Sequence, residues 1–148
     1  MLKNINTLLT PELLYVLQSM GHGDEIVLCD ANFPAYSIAA ETVYGEVIRL
    51  DGADAPSVAK AILSVMPLDT FVKDAAFGME VVGNPDEVPE VQRLVQKEID
   101  EAEPNFRLAP IERMAFYERS KKAYAVVASS ERRLYGCFIF KKGVVPPK

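Results

Sequence analysis
The sequence predicts an α/β fold: one layered domain over residues 1–148, with a mixed β-sheet flanked by helices. Three observations predict it. Short apolar runs of the kind that form strands covered on both faces alternate along most of the chain with segments whose apolar residues recur at helical spacing. At 148 residues the chain is long enough to bury roughly 68–70% of the surface its unfolded form would expose. The two final strand-like runs, finally, are separated only by the polar stretch Ser129 to Arg133, so they are expected to pair as a hairpin, which would make the sheet mixed rather than purely parallel.

Element by element, Thr10-Pro11-Glu12 starts the first helix: Thr10 can cap it, Pro11 suits the first helical position, and Leu9 with Leu14 have the spacing of a hydrophobic staple. Leu13, Leu14 and Leu17 form its buried stripe, and Gly21 is expected to end it in a left-handed conformation. Ile26-Val27-Leu28-Cys29 is a buried strand closed by Asp30, with Ala31 to Pro34 as a loop. Val47 to Leu50 is a second strand, followed by a helix capped near Asp54 that buries Val58, Ile62 and Val65 before Pro67 stops it. Ala75 to Val82 is a strand, and the helix after it carries Val91, Leu94, Val95 and Ile99 on one side. Glu101 to Pro110 reads as a loop, Glu112 to Lys122 as a helix that buries Phe116, and Tyr124 to Ala128 and Gly136 to Phe140 as the last strands.

Composition narrows the function classes. Hydrophobic residues make up 49% and charged residues 25%, the usual globular mix. No apolar run approaches the roughly 20 residues of a membrane span, and no basic segment followed by an apolar signal core opens the sequence. A cytoplasmic protein without membrane association is expected. Cys29 and Cys137 lie in strand-like runs, so both are expected to be reduced thiols rather than a disulfide or zinc ligands. The net charge of −5 is uneven: nine Lys/Arg against two Glu from Arg113 onward leave +7 there and −12 before it. The basic residues come as isolated pairs without a nucleic-acid motif, so no nucleic-acid partner is expected. Attraction between an acidic body and a basic end favours self-association.

His22, the only histidine, lies in Gly21-His22-Gly23-Asp24-Glu25. Histidine is the side chain that both gives and takes a proton near neutral pH, and flanking glycines let a ligand approach it. The same position also suits a histidine that merely follows a helix end into solvent. Asp30 stands at the C-terminal end of a buried strand, where open α/β sheets bind ligands, although an aspartate there also suits a turn. His22 and Asp30 are separated by a strand of about 17–20 Å, so either they serve different sites or one site is shared between chains. Arg113 to Arg119 adds a guanidinium, the Tyr117 phenol and a carboxylate at helical spacing, and Tyr135-Gly136 offers a hydroxyl and an open backbone, or simply a β-bulge. There is no glycine-rich phosphate loop, no metal-ligand spacing and no G-x-S-x-G, so proton transfer and polar recognition without metal or cofactor are expected.

Together, Gly21-His22-Gly23-Asp24-Glu25, Asp30-Ala31-Asn32-Phe33-Pro34-Ala35, Arg113-Met114-Ala115-Phe116-Tyr117-Glu118-Arg119, Tyr135-Gly136-Cys137 and Lys141-Lys142-Gly143-Val144 resemble the L-fucose mutarotase and D-ribose pyranase family, in order and over nearly the whole chain. The F-Y-E-R run and the K-K-G-V tail resemble the fucose branch. Cys137 stands where the family often has asparagine, Asn32 and Tyr36 where it often has histidine, and Glu41 to Glu46 resembles an insertion. The resemblance implies an isomerase that interconverts the α and β anomers of L-fucose, with His22 as acid/base residue, or, as the alternative, a D-ribose pyranase that interconverts ring sizes. It implies substrate binding by Asp30, Arg113, Tyr117, Tyr135, Gly136 and Cys137, and a ring-shaped homo-oligomer, commonly a decamer, with the sugar site near subunit contacts. A ring that binds sugar without catalysing its conversion is the alternative from another class.

Overall fold
A computed structural model describes all residues, Met1 to Lys148. Six strands form one sheet: β1 (Glu25–Cys29), β2 (Val47–Leu50), β3 (Ala76–Met79), β4 (Ala109–Ile111), β5 (Ala125–Ser129) and β6 (Phe138–Lys141), in the order β2-β5-β1-β6-β3-β4. β1 is parallel to β5, β2 to β5 and β3 to β4, whereas β6 runs antiparallel to both β1 and β3. The helices are α1 (Pro11–Ser19), α2 (Ala35–Ala39), α3 (Ala55–Leu63), α4 (Glu90–Ala102) and α5 (Arg113–Lys121).

Alternation along the strands divides the core. Ile26 and Leu28 of β1, with Phe138 and Phe140 of β6, join the larger apolar cluster under α1, α3 and α4. Val27, Cys29 and Ile139 point the other way, into a smaller cluster with Ile38 of α2 and Phe116 of α5. With helices on both faces, the central strands have no polar side, which is why they read as unbroken apolar runs.

Local signals set the helix starts. Thr10 accepts a hydrogen bond from the Leu13 amide and Asp54 one from the Ser57 amide, and each cap is followed by a proline within the first two helical positions. Glu112 caps α5 by accepting from the amides of Met114 and Ala115, which holds its carboxyl below the usual range.

Four expectations need correction. β5 and β6 do not pair as a hairpin, because β1 lies between them. The polar stretch after β5 is instead fastened across the end of β1: the Ala31 amide donates to the Glu131 carbonyl, and the Ala55 amide to the buried Glu131 carboxylate. Gly21 does not end α1 in a left-handed conformation. Met20, buried, already leaves the helix in an extended conformation, and the positive φ falls at Gly23, at 86°. The carbonyls of Leu17 and Met20 are satisfied by the Lys142 ammonium, a cation placed at the negative end of the helix. Val65 and Leu94 are not in buried stripes. α3 ends at Leu63 and leaves Val65 43% exposed, while the inner face of α4 includes Gln92 and leaves Leu94 37% exposed. The short α2 and β4 also lie where only loop was expected; each spans five residues or fewer, too short for periodicity to register. No helix is long and apolar enough to cross a membrane.

Candidate functional site
The expected site residues fall into two groups at opposite ends of the sheet. The first is built on His22, in the turn between α1 and β1. Its Nε2 lies 2.9 Å from Oδ1 of Asp69, and the Phe71 ring packs beside the imidazole with centroids 5.3 Å apart. Asp69 is buried. Burial alone would raise its pKa, but hydrogen bonds from the Phe71 amide and from His22 outweigh that, and the carboxyl is held below its ordinary value. An ionised carboxylate only accepts, so the hydrogen between them belongs to His22 Nε2, and whenever the ring is neutral Nδ1 is the acceptor. The imidazole remains 44% exposed. Asp69 is placed by long-range pairing: its amide donates to the Lys141 carbonyl, and Leu68 bridges to Lys142. Gly143 makes the approach possible, since a Cβ there would overlap the Leu68 carbonyl.

The second group surrounds Asp30 at the C-terminal end of β1. A cavity of about 180 Å³ is lined by Asp30, Phe33, Arg113, Tyr117, Tyr135 and Cys137, among others. Asp30 is only 6% exposed. Its Oδ1 accepts from the Asn32 amide at 2.9 Å; its Oδ2 accepts from the Gly136 amide at 3.2 Å and from the Cys137 thiol at 3.4 Å. A carboxylate offers about four lone-pair sites, so one acceptor position remains. Asp30 therefore fastens its loop to the 135–137 segment and still has capacity for a ligand hydroxyl. Tyr117 meets the Phe33 ring edge-on at 5.5 Å, and Arg113, exposed at the start of α5, reaches the same cavity. The Tyr135 hydroxyl accepts from the Val82 amide at 3.2 Å, which leaves its own hydrogen free to donate. Burial pushes both the Cys137 and the Cys29 thiols up, Asp30 adding to it, so neither is a nucleophile at neutral pH.

All six expected binding residues thus come together, while His22 stays apart, at the far end of a five-residue strand about 17 Å long. No group of three or more His, Cys, Asp or Glu side chains is arranged to hold a metal ion. Sequence reasoning missed Asp69, because 47 residues separate it from His22 and no local spacing links the two. It also missed Glu131. That carboxylate is buried and accepts from the Ala55 amide and from the Arg133 backbone and guanidinium, and Gly136 packs against its side chain, a Cβ there coming within 2.8 Å of it.

The Arg133 hydrogen bonds outweigh burial and hold Glu131 down to about 2, against an ordinary 4.5. Because the folded value is the lower one, this contribution is complete above about 4.5 and is lost as pH falls toward 2. Thermal melting should therefore fall through that acid window in the native protein, and the slope should flatten in Glu131→Gln, measured by melting temperature against pH.

A buried carboxylate, a guanidinium and two phenols around a small cavity at the carboxyl end of an open α/β sheet define a binding protein or enzyme for a small polar ligand. The chain belongs to the RbsD / FucU transport protein family, whose model matches residues 3–145. It is 48% identical to a fucose mutarotase of Danio rerio, over 99% of this chain and 96% of that one, and 48% identical to a fucose mutarotase of Homo sapiens, over 97% and 94%. Among solved structures it resembles the fucose mutarotase from Streptococcus pneumoniae in complex with L-fucose, with a TM-score of 0.87, 42% identity, and coverage of 98% of this chain and 100% of that one.

Proposed function
We propose that this protein interconverts the α and β anomers of L-fucose, with His22 as the acid/base group and the Asp30 cavity as the sugar site. The observation that carries the reading is near-full-length identity to fucose mutarotases, one of them solved with L-fucose, combined with a cavity rich in hydrogen-bonding groups. In the forward half, His22 Nδ1 takes the proton of the anomeric hydroxyl while the ring oxygen receives one from a tyrosine, Tyr135 being free to donate, or from water. The bond between C1 and the ring oxygen breaks, giving the open aldehyde. Rotation about the C1–C2 bond and the reverse transfers close the ring on the other face, with no net change in protons or oxidation state. Asp30 and Arg113 hold sugar hydroxyls, since a site built of hydrogen bonds rejects analogues that leave its polar groups unpaired.

The separation of His22 from Asp30 supports a site whose two halves come from different copies of the chain. Exposed apolar side chains flank both: Phe71, 72% exposed, beside His22, and Leu134 at the Asp30 cavity. Burying them between copies would bring the halves together, and repetition of such a head-to-tail contact closes a ring.

The test is saturation-transfer NMR on the anomeric protons of L-fucose and, in parallel, D-ribose, with and without protein. Faster exchange for L-fucose is expected, unchanged after dialysis against a strong chelator. Exchange at the solvent rate, despite L-fucose binding, would make the protein a sugar-binding ring only. Activity lost to the chelator and restored by added metal would overturn the histidine mechanism.

A further inference from the structure
Tyr135 is one of three non-glycine residues with positive φ, at 62°, a conformation that costs any residue bearing a side chain and persists only where surrounding contacts impose it. Gln92, buried on the inner face of α4, supplies one such contact. Its Nε2 donates to the Met79 carbonyl at the end of β3, at 2.7 Å, and to the Tyr135 carbonyl at 3.2 Å. β3 leaves room for it: the carboxamide crosses Gly78, where an added Cβ would lie 3.4 Å from the Gln92 amide carbon and oxygen. The Tyr135 carbonyl and the Gly136 N–H belong to one planar trans peptide and so point in opposite directions. The carbonyl is held by Gln92 and the N–H by Asp30.

We propose that Gln92 is a positioning residue for the sugar site: by gripping the Tyr135 carbonyl it keeps the 135–136 peptide clamped against Asp30, with the Tyr135 ring turned to the cavity. The proposal rests on the assignment of that cavity to L-fucose. Releasing the carbonyl lets the peptide rotate, which removes the Gly136 donor from Asp30 and relaxes Tyr135. The far end of the ring stays tied to the Val82 amide, so the effect is a misplaced peptide rather than a lost segment.

The experiment uses the intact oligomer carrying Gln92→Met, which fills the space without a donor, and Gln92→Glu, which changes one atom of the carboxamide and carries the test if methionine disturbs packing. Hydrogen exchange by mass spectrometry reads the Gly136 amide, and NMR exchange rates against L-fucose concentration separate KM from kcat. The expected result is about 10-fold faster Gly136 exchange and a KM raised about 10-fold, with a smaller fall in kcat, because Tyr135, the candidate proton donor, is displaced while the His22 end is untouched. Unchanged Gly136 protection, an unchanged KM, or kcat falling in step with thermal stability would each overturn it. If the wild-type protein exchanges no L-fucose, the functional assignment fails by itself, and the Gly136 measurement still decides whether Gln92 holds that peptide.

Discussion
Replacing His22 with alanine is expected to lower L-fucose anomer exchange by about 10²-fold or more, the usual cost of removing a general acid/base group. The fold should survive. His22 sits in a turn with 44% of its side chain exposed and contributes nothing to either apolar cluster, so the lost hydrogen bond to Asp69 should cost about 1–2 kcal/mol. Melting temperature and exchange rate measured on the same sample separate the two effects, and activity within threefold of wild type would remove His22 from the mechanism. Asp69→Asn is the companion. Asparagine can still accept from Nε2 and hold the ring, but without the charge that favours the imidazolium, so a loss of about 10-fold is expected, smaller than for His22→Ala. If Asp69→Asn proved as damaging as His22→Ala, Asp69 would be acting on the sugar directly and not only through the imidazole.

Mixing two inactive proteins, His22→Ala and Arg113→Ala, should restore activity once their subunits exchange. The reason is geometric: His22 and the Arg113 side of the Asp30 cavity lie at opposite ends of β1, so in the proposed shared site each of two copies contributes one half. In a random equal mixture about a quarter of the sites pair an intact His22 with an intact Arg113, so recovery to about a quarter of wild-type activity is expected from parents about 10²-fold down. Light scattering across a dilution series, run with the exchange assay, should show activity falling as the oligomer dissociates. An active monomer would overturn the shared site. An oligomer whose mixed mutants regain nothing would place both halves within one chain.

The α/β class and most elements were legible because their signals are local. Thr10-Pro11 and Asp54 start helices by hydrogen bonds that reach three residues, and an apolar run such as Ile26 to Cys29 must be covered on both faces wherever it lies. The grouping of Asp30, Arg113, Tyr117 and Tyr135 to Cys137 came from the resemblance of five short segments, and the fold brings all but Gly136 to one cavity, with Gly136 bonded to Asp30 at its wall. Strand partners were not legible. Adjacent strands in sequence, β5 and β6, looked like a hairpin, yet each pairs with β1, far away along the chain. The same limit hid Asp69 and Gln92, whose partners are set by where β6 and its preceding loop lie.

Residue order alone therefore decided where α1 and α3 are capped and which runs become buried strands, since those choices are made by neighbours a few bonds apart. Only the tertiary structure decided that His22 finds Asp69 and that the 135–136 peptide is caught between Gln92 and Asp30. These contacts join residues 43 to 106 positions apart. Each depends on a loop-closure entropy repaid by the whole core, a cost and a gain that no short stretch of sequence carries.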